Sequence, residues 1–284
     1  MKLLSVETDE LRTRRLSYEQ KGYGHAYSLG AEGNVMSSLQ DKNVVVIGGS
    51  RGLGRVIVEA ALSEGARTLA VARHREALDK LSADLPTIAI LAIDATREDA
   101  PERVFAALTP DLLVIAAGAI PPGASLQDQS WSEFSVNWET DVKASFLFCK
   151  AALRAPLAPG TKIVLISSGA GIGGSPISGG YAGSKRMQMF MANYCQKESD
   201  RHNLGLRFVS IAPGRIMPET DLGKAAVDGY SRYLGVSPSD FIKGMDSAQT
   251  PNDVAKAVIT FATSDAVLDG NAFVVAGDGM KAVA

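Results

Sequence analysis

Seven short apolar runs, separated by segments with a helical pattern, dominate the chain from Lys42 onward. They are rich in valine and isoleucine and cover residues 44–47, 68–71, 88–93, 112–115, 162–166, 206–211 and 272–275. Apolar runs without polar alternation are typical of parallel strands buried on both faces. The sequence therefore predicts an α/β fold, a doubly wound parallel seven-stranded sheet with helices on both faces, in a single domain.

Composition and charge indicate in which cellular compartment the protein lies and which classes of partner it binds. Of the 284 residues, 46% are hydrophobic, which is enough apolar material for a sizeable core. The formal net charge of -2 gives no reason to expect a nucleic acid or an anionic membrane as a partner. No apolar run approaches the roughly 20 residues that span a bilayer, and the charged N-terminal segment does not resemble a secretory signal. We therefore expect a cytoplasmic protein with no nucleic-acid or membrane partner.

The cysteines and histidines do not form the pattern of a metal site. Cys149 and Cys195 are the only cysteines, which suits a reducing compartment and favours two buried apolar thiols. His25, His74 and His202 are isolated, and none stands near acids at ligand spacing. We predict no metal.

Two segments depart from the alternation of runs and helices. Residues 1–40 are polar and contain four glycines, so we interpret them as an N-terminal extension and residues 41–284 as the domain. The extension suits an arm on a neighbouring subunit or a mobile tail, and translation from Met36 is a third alternative. Residues 215–250 mix aromatic residues with proline and glycine after a strand end, where ligands bind in open α/β sheets. They predict a substrate lid, although simple packing is the alternative.

A glycine-rich turn follows the first apolar run and leads into a helical pattern. Its residues are Gly48, Gly49, Ser50, Arg51, Gly52, Leu53 and Gly54. Glycine lets the backbone turn tightly and approach a pyrophosphate, which then lies at the helix N-terminus where free N–H groups point. A glycine string alone is a weak signal. Its position between the first strand and the first helix predicts a Rossmann-type dinucleotide site, ahead of a purely structural turn.

The charges after the second apolar run indicate which dinucleotide binds. Sites that prefer NAD usually carry Asp or Glu at the end of the second strand, where it accepts hydrogen bonds from the ribose hydroxyls. Here the strand leads into Arg73, and Arg51 lies in the glycine turn. Two guanidinium groups suit a 2′-phosphate, so the sequence predicts NADP(H). A solvated arginine cluster is the alternative interpretation.

Ser168, Tyr181 and Lys185 follow the fifth apolar run and share one chemistry. Tyr181 and Lys185 are four residues apart, which places them on one face of a helix, a single turn apart. A free tyrosine has a pKa of about 10, and a neighbouring ammonium lowers that pKa. A serine hydroxyl can hold a substrate oxygen while Tyr181 donates a proton to it, which completes hydride addition to a carbonyl. This group predicts an oxidoreductase acting on a carbonyl or an alcohol.

The order of these motifs resembles the short-chain dehydrogenase/reductase family from residue 42 to residue 280, and is similar to its branch of carrier-protein ketoacyl reductases. Ser168 matches the family's catalytic serine, and Tyr181 and Lys185 match its YxxxK pair. The other matches are Gly48, Gly52 and Gly54 at the pyrophosphate, Asp94 at the adenine, Ala117 and Gly118 after the fourth strand, Pro213 and Gly214 after the sixth, Ile216 at the nicotinamide amide, and the strand ending of Gly277, Asp278 and Gly279. The resemblance implies that Tyr181 and Lys185 also contact the cofactor, and that the chain forms a homodimer or homotetramer.

Departures from the family pattern lie before the glycine turn, after the fourth strand and in the next helix. Ile47 stands where a structural threonine is usual, and residues 115–118 are Ile-Ala-Ala-Gly instead of Asn-Asn-Ala-Gly. We expect weaker local order there with the chemistry retained. Asp141 occupies the fourth catalytic position, normally asparagine, and its charge is expected to stabilise the ammonium of Lys185 and oppose the phenolate of Tyr181. A shifted alignment would place Asn137 there instead.

The expected function is hydride transfer between NADP(H) and a small carbonyl or alcohol substrate, with apolar character suggested by residues 215–250. A cofactor-binding sensor or scaffold without turnover is the alternative, because Asp141 and the segment after the fourth strand depart from the family. A nucleotide-sugar epimerase or dehydratase ranks lower, since its substrate half needs more chain. The fold does not identify the substrate.

Overall fold

The computed structural model describes residues 26–27, 38–154, 157–245, 249–264, 270–276 and 279–283, in which one sheet has nine strands. The strands are β1 (Ala26–Tyr27), β2 (Asn43–Ile47), β3 (Arg67–Ala72), β4 (Ala89–Ala92), β5 (Leu112–Ile115), β6 (Lys162–Ile166), β7 (Arg207–Pro213), β8 (Ala272–Ala276) and β9 (Gly279–Ala282). The helices are α1 (Gly52–Ser63), α2 (Arg75–Asp84), α3 (Ala100–Ala107), α4 (Trp131–Asn137), α5 (Lys143–Arg154), α6 (Ala170–Gly173), α7 (Gly180–Arg201), α8 (Asp221–Leu234), α9 (Pro238–Lys243) and α10 (Pro251–Thr263). A π-helical turn, Trp138–Val142, joins α4 to α5, and a short 3-10 helix covers Leu126–Asp128.

The predicted doubly wound α/β class is confirmed, and the sheet has two strands more than predicted. Each of the seven apolar runs forms one of the parallel strands β2 to β8. The additional strands are antiparallel, because β9 pairs with β8 and β1 pairs with β9. Apolar periodicity could not reveal them, since β9 is the mixed sequence Gly-Met-Lys-Ala and β1 has two residues.

The strand β1 belongs to the predicted N-terminal extension. Its backbone pairs with β9 in the register Ala26 to Lys281 and Tyr27 to Met280, at one edge of the sheet. The other positions of residues 1–37 lie outside the described residues, and so do Gly277 and Asp278.

The strand order creates a crevice at the carboxyl ends of two central strands. Along the sheet the order is β1-β9-β8-β7-β6-β5-β2-β3-β4, so β2 has β3 on one side and β5 on the other. Ile47 at the end of β2 pairs with Val71 of β3 and with Ile115 of β5. The chain leaves β2 and β5 toward opposite sides of the sheet order, and ligands bind at such a switch point.

Two hydrophobic clusters, one on each face of the sheet, hold the carboxyl ends of these strands in place. Val44 and Val46 of β2 belong to a cluster shared with α1 and α10, whereas Val45 and Ile47 belong to one shared with α5 and α7. All four side chains are completely buried, which explains why the strands lack polar alternation. Burying a large apolar side chain contributes about 1.5–3 kcal/mol, so the strand ends are firmly positioned under the loops that follow them.

Candidate active site

An open cleft of about 3060 Å³ extends over the carboxyl ends of the strands and under α8 and α9. This volume exceeds the roughly 300–1,000 Å³ that holds one drug-sized ligand, and leaves room for a dinucleotide beside a substrate. All the sequence-predicted site residues line it: Gly48, Ser50, Arg51, Gly52, Leu53, Gly54, Arg73, Asp94, Ala117, Gly118, Asp141, Ser168, Tyr181, Lys185, Pro213, Gly214 and Ile216. Residues far apart in sequence thus meet at one edge of the sheet.

The glycine turn packs so closely on neighbouring backbone that side chains would not fit. Gly48 has a φ of +88°, and a Cβ there would lie 2.7 Å from the amide nitrogen of Ala117. A Cβ on Gly54 would collide with the carbonyl oxygen of Gly48, so α1 approaches the strand end without any side chain between them. The Gly48 amide donates to the carbonyl of Val71 at 2.7 Å, which fixes the turn to β3.

The N-terminus of α1 fits the pyrophosphate of a dinucleotide. Arg51 is its N-cap and makes no capping hydrogen bond through its side chain, and the first turn holds no acidic residue. Gly52 has a φ of +52°, and no described atom lies within 4 Å of the position that a Cβ would take. Uncapped N–H groups beside an open, glycine-lined cradle are what an anionic phosphate needs.

We expect Gly54→Ala to lower the free energy of unfolding by about 1–3 kcal/mol and to weaken NADPH binding, because the new methyl group would force α1 away from Gly48. Urea denaturation and a fluorescence titration with NADPH measure the two effects. Gly173→Ala is the stability control, since no described atom lies within 4 Å of its added Cβ. Wild-type stability and affinity in Gly54→Ala would contradict the close approach.

Positive charge lines the part of the cleft that follows the glycine turn. The Nη1 atom of Arg51 lies 3.1 Å from Oδ2 of Asp221 at the start of α8, and both side chains are exposed. Arg73 donates from Nε to Nε2 of His74 at 3.2 Å. Its guanidinium also helps to lower the pKa of Asp94, although the backbone amide of Thr96 is the larger cause of that shift. Arg51 and Arg73 thus both line the cleft, Arg51 in an exposed ion pair with Asp221.

Tyr181 lies in the first turn of α7, with Lys185 one turn later. The ammonium of Lys185 lies 5.6 Å from the centre of the Tyr181 ring. Ser168, just beyond β6, lies near enough to the phenol of Tyr181 that its hydroxyl lowers the pKa of that phenol. Its hydroxyl also accepts the amide N–H of Ala170 at 3.2 Å. The three residues of the predicted catalytic group therefore lie together.

Opposing effects act on the pKa of Tyr181. Burial raises it, whereas the ammonium of Lys185 and the hydroxyl of Ser168 lower it. The charges of Asp141 and Tyr230 raise it further, and the net shift is upward. In this state the phenol is protonated at neutral pH, which is the form that donates a proton to a developing alkoxide.

Asp141 forms a buried ion pair with Lys185. Its Oδ2 lies 3.0 Å from the Lys185 ammonium, and the two side chains are 1% and 8% exposed. Its Oδ1 accepts the backbone N–H of Ala119 at 2.9 Å, the hydroxyl of Thr140 at 2.9 Å and the amide of Asn137 at 3.2 Å. The carboxylate is thus held from three sides and directed at Lys185 by its second oxygen.

Gly118 and Asn137 complete the surroundings of this ion pair. A Cβ on Gly118 would lie 2.7 Å from Oδ2 of Asp141, so glycine at this position makes room for the carboxylate. Asn137, the alternative fourth catalytic position, donates to the carbonyl of Ala119 at 2.7 Å. Asp141, and not Asn137, therefore faces Lys185.

Burial alone would lower the pKa of Lys185, but the charge of Asp141 raises it, and the net shift is upward. The ammonium also donates to the carbonyl of Ile166 and to Oε1 of Gln188, both at 3.1 Å. Lys185 is therefore positively charged at neutral pH in spite of its burial.

Residues 215–250 place two helices, α8 and α9, over the cleft, apart from residues 246–248, which lie outside the described part. Tyr230 stacks on Phe241, with ring centres 5.5 Å apart. The Tyr230 hydroxyl donates to Oγ of Ser175 at 2.7 Å, on the loop before Tyr181. These contacts connect the predicted lid to the catalytic segment.

Sequence reasoning missed several polar residues that hold the site together. Gln249 is buried; its Oε1 accepts the N–H of Arg215 at 3.0 Å and its Nε2 donates to the carbonyl of Val275 at 2.9 Å. Gln188 and Asp221 were missed in the same way. No local motif distinguishes these residues from other polar residues of helices and loops.

Among the described residues, no three His, Cys, Asp or Glu side chains lie together as metal ligands would. No helix in the described ranges has the length and apolar character needed to cross a membrane.

Comparison with known proteins gives a family and several relatives. The sequence profile of the family described as short chain dehydrogenase matches residues 42–230. Carbonyl reductase family member 4 of Danio rerio is 31% identical over 64% of this chain and 78% of its own length. A 2,5-dichloro-2,5-cyclohexadiene-1,4-diol dehydrogenase of Sphingobium indicum is 28% identical over 86% of this chain and 98% of its own length. A 3-oxoacyl-(acyl-carrier-protein) reductase of Chlamydia muridarum is 29% identical over 80% and 92%, respectively.

Proposed function

The chain belongs to the short-chain dehydrogenase family and is therefore an oxidoreductase with a nicotinamide cofactor, and we propose that it transfers a hydride between NADP(H) and a carbonyl or secondary alcohol. The observation that carries this proposal is the convergence of Ser168, Tyr181 and Lys185 on the cleft that also contains the glycine turn. The names of the relatives agree with this chemistry, since they include a carbonyl reductase family member and a diol dehydrogenase.

Each of the three residues has a distinct task in the proposed reaction. Bound in this cleft, the nicotinamide would supply the hydride to the carbonyl carbon or accept it from the alcohol. Ser168 holds the substrate oxygen by a hydrogen bond, and Tyr181 donates its phenolic proton to that oxygen as negative charge develops. Lys185 stabilises the phenolate that remains, because its ammonium lies next to the ring. In alcohol oxidation Tyr181 accepts the proton instead.

Asp141 adds a fourth component to this group. It keeps Lys185 charged within the buried pair, so the ammonium is present throughout the reaction. The same carboxylate opposes the phenolate of Tyr181, so the balance between the two effects sets the working pH.

The preference for NADP(H) rests on Arg51 and Arg73, which line the cleft after β2 and β3 without an acidic residue at the end of β3. We expect Arg51→Ala and Arg73→Ala each to raise the KM for NADPH about tenfold or more with little change for NADH, because only NADPH carries the 2′-phosphate. Arg75→Ala is the matched control, since Arg75 pairs with Asp79 on α2. Equal losses with NADPH and NADH would contradict the phosphate assignment.

A sensor or scaffold without turnover is the second candidate, and one observation favours it. The ammonium of Lys185 donates to Gln188 and to the carbonyl of Ile166, and it forms an ion pair with Asp141 at 3.0 Å. A cofactor hydroxyl would therefore have to bind the ammonium in competition with the Asp141 carboxylate. Tight NADPH binding without oxidation by any carbonyl would favour this candidate.

The substrate side of the cleft suits an apolar carbonyl compound. Its lining includes Ile120, Ile172, Leu222, Tyr230 and Phe241, of which the last three lie on the proposed lid. The test measures NADPH oxidation by the purified protein with aliphatic ketones, cyclic ketones and ketones that carry an acyl thioester. The matching alcohols are tested in the reverse direction. Turnover with one of these classes would support the proposed oxidoreductase activity and identify the substrate class.

A homodimer or homotetramer is the assembly that we propose. Trp138, Phe146, Phe190 and Tyr194 lie on or next to α5 and α7 and are 40%, 50%, 42% and 52% exposed. Large apolar side chains exposed on neighbouring helices are typical of protein interfaces. Light scattering of the protein as it elutes from a size-exclusion column measures the mass of the assembly directly.

A further inference from the structure

A completely buried glutamine side chain lies directly behind the ammonium of Lys185. Gln188 belongs to α7, one turn after Lys185, and its side chain has no exposure to solvent. Its Oε1 accepts a hydrogen bond from the Lys185 ammonium at 3.1 Å. Its Nε2 donates to Oγ of Ser145 at 2.9 Å, and Ser145 on α5 is also completely buried.

The ammonium imposes the orientation of this amide. A protonated lysine can only donate, so the oxygen of Gln188 must face Lys185 and its NH₂ group must face Ser145. The amide therefore connects α7, which carries Tyr181 and Lys185, to α5, which follows the π-helical turn that contains Asp141. A buried polar chain of this kind is maintained only if each group keeps its partner.

The partners of Lys185 surround it with a defined geometry. Asp141, Gln188 and the carbonyl of Ile166 lie at 3.0, 3.1 and 3.1 Å from the nitrogen. They come from the π-helical turn, α7 and β6, and thus approach from different elements. Without Gln188, the strongest remaining attraction on the ammonium is the carboxylate of Asp141.

We propose that Gln188, held by Ser145, is a positioning residue that keeps the ammonium of Lys185 directed at Tyr181 against the pull of Asp141. The proposal rests on the proposed oxidoreductase function of this site. Gln188 acts through Lys185 and has no contact with the reacting atoms, so its removal should affect the proton transfer more than the binding of the substrate.

The test compares Gln188→Met with the wild type. Methionine has a similar length, but its thioether sulfur accepts a hydrogen bond only weakly. We expect kcat to fall about tenfold, which corresponds to about 1.4 kcal/mol of transition-state stabilisation, with the KM for the carbonyl nearly unchanged. Gln188→Glu keeps an acceptor oxygen and should recover most of kcat, while its added negative charge moves the pH profile upward.

Gln196→Met is the matched control on the same helix. Gln196 is buried two turns further along α7, where it hydrogen-bonds with the backbone of Leu206 and Phe208. A merely structural role for Gln188 predicts that both variants lose stability and that neither changes kcat or the pH profile. That result with an active wild type would overturn the proposal and leave the proposed function intact.

A second measurement does not depend on turnover. The groups that set the titration of Tyr181 are Lys185, Ser168, Asp141 and Tyr230, and of these only Lys185 carries positive charge. We expect the phenolate absorbance of Tyr181, obtained by difference from Tyr181→Phe, to develop at higher pH in Gln188→Met than in the wild type. An identical titration would overturn the proposal. If the wild type shows no turnover but the titration shifts, the proposed function fails and the positioning role stands.

Discussion

Tyr181→Phe is expected to lower kcat for carbonyl reduction by about 100- to 10,000-fold, the range that general acid–base catalysis typically contributes. The variant keeps the ring beside the Lys185 ammonium and removes only the phenolic hydroxyl, whose pKa Lys185 and Ser168 lower. Because the proton donor is lost and the cleft keeps its shape, affinity for NADPH should stay near that of the wild type. Initial rates of NADPH oxidation and a fluorescence titration measure the two quantities.

Tyr194→Phe is the matched control for this loss of a hydroxyl. Tyr194 lies on the same helix, is 52% exposed and stacks on Phe190 away from the cleft. The kcat of Tyr194→Phe should equal that of the wild type. A Tyr181→Phe variant that retains more than about a tenth of kcat would contradict the role of Tyr181 as the proton donor.

Asp141→Asn is expected to lower the free energy of unfolding by about 3 kcal/mol at neutral pH, since removal of one partner of a buried ion pair leaves the other charge uncompensated. The folded-state pKa of Lys185 lies above its ordinary value of 10.5 in the wild type. A group with a raised pKa stabilises the fold fully below its unfolded pKa and loses that contribution as the pH rises through the folded value. The difference between the variant and the wild type should therefore be constant around pH 7 and shrink in strongly alkaline solution.

The same substitution should move the pH profile of turnover toward lower pH. Asp141 raises the pKa of Tyr181, so its neutralisation favours the phenolate. In alcohol oxidation the rate should then rise at a lower pH, because the phenolate is the base. In carbonyl reduction the rate should also decline at a lower pH, because the phenol is the acid.

Asp79→Asn is the control for the Asp141 experiment. Asp79 pairs with Arg75 on the surface of α2, where both side chains are more than half exposed. Such a pair contributes about 0–1 kcal/mol, and it lies outside the cleft, so neither stability nor the pH profile should change appreciably. An unshifted profile in Asp141→Asn would show that the carboxylate does not influence Tyr181 during turnover.

Local sequence patterns were sufficient for the main elements of the fold. Continuous apolar runs predicted β2 to β8, since a strand covered by helices on both faces has no polar face to reveal. The same criterion missed β1 and β9, whose pairing at the sheet edge depends on backbone hydrogen bonds and not on apolar side chains. The pairing of these two strands is set by their neighbours in space, which periodicity does not register.

For the candidate site as well, local patterns predicted some features and left others to the tertiary structure. The spacing of Tyr181 and Lys185 placed them on one helical face, and the position of the glycine turn placed it between β2 and α1. Asp141 was predicted to act on Lys185 and Tyr181, with Asn137 at that position as the alternative. The ion pair at 3.0 Å resolves that alternative, because the π-helical turn directs Asp141 toward Lys185.

The sequence by itself determined the order of strands and helices and the residue types that bring chemistry to the cleft, because burial periodicity and helical spacing are local properties of the chain. Only the tertiary structure decided which groups surround the ammonium of Lys185. Helical spacing places Gln188 one turn from Lys185, but Asp141 and the carbonyl of Ile166 come from other elements, and their approach depends on how α5 and α7 pack against the sheet. That packing brings partners from up to 44 positions earlier in the chain into hydrogen-bond range, a proximity that no local pattern encodes.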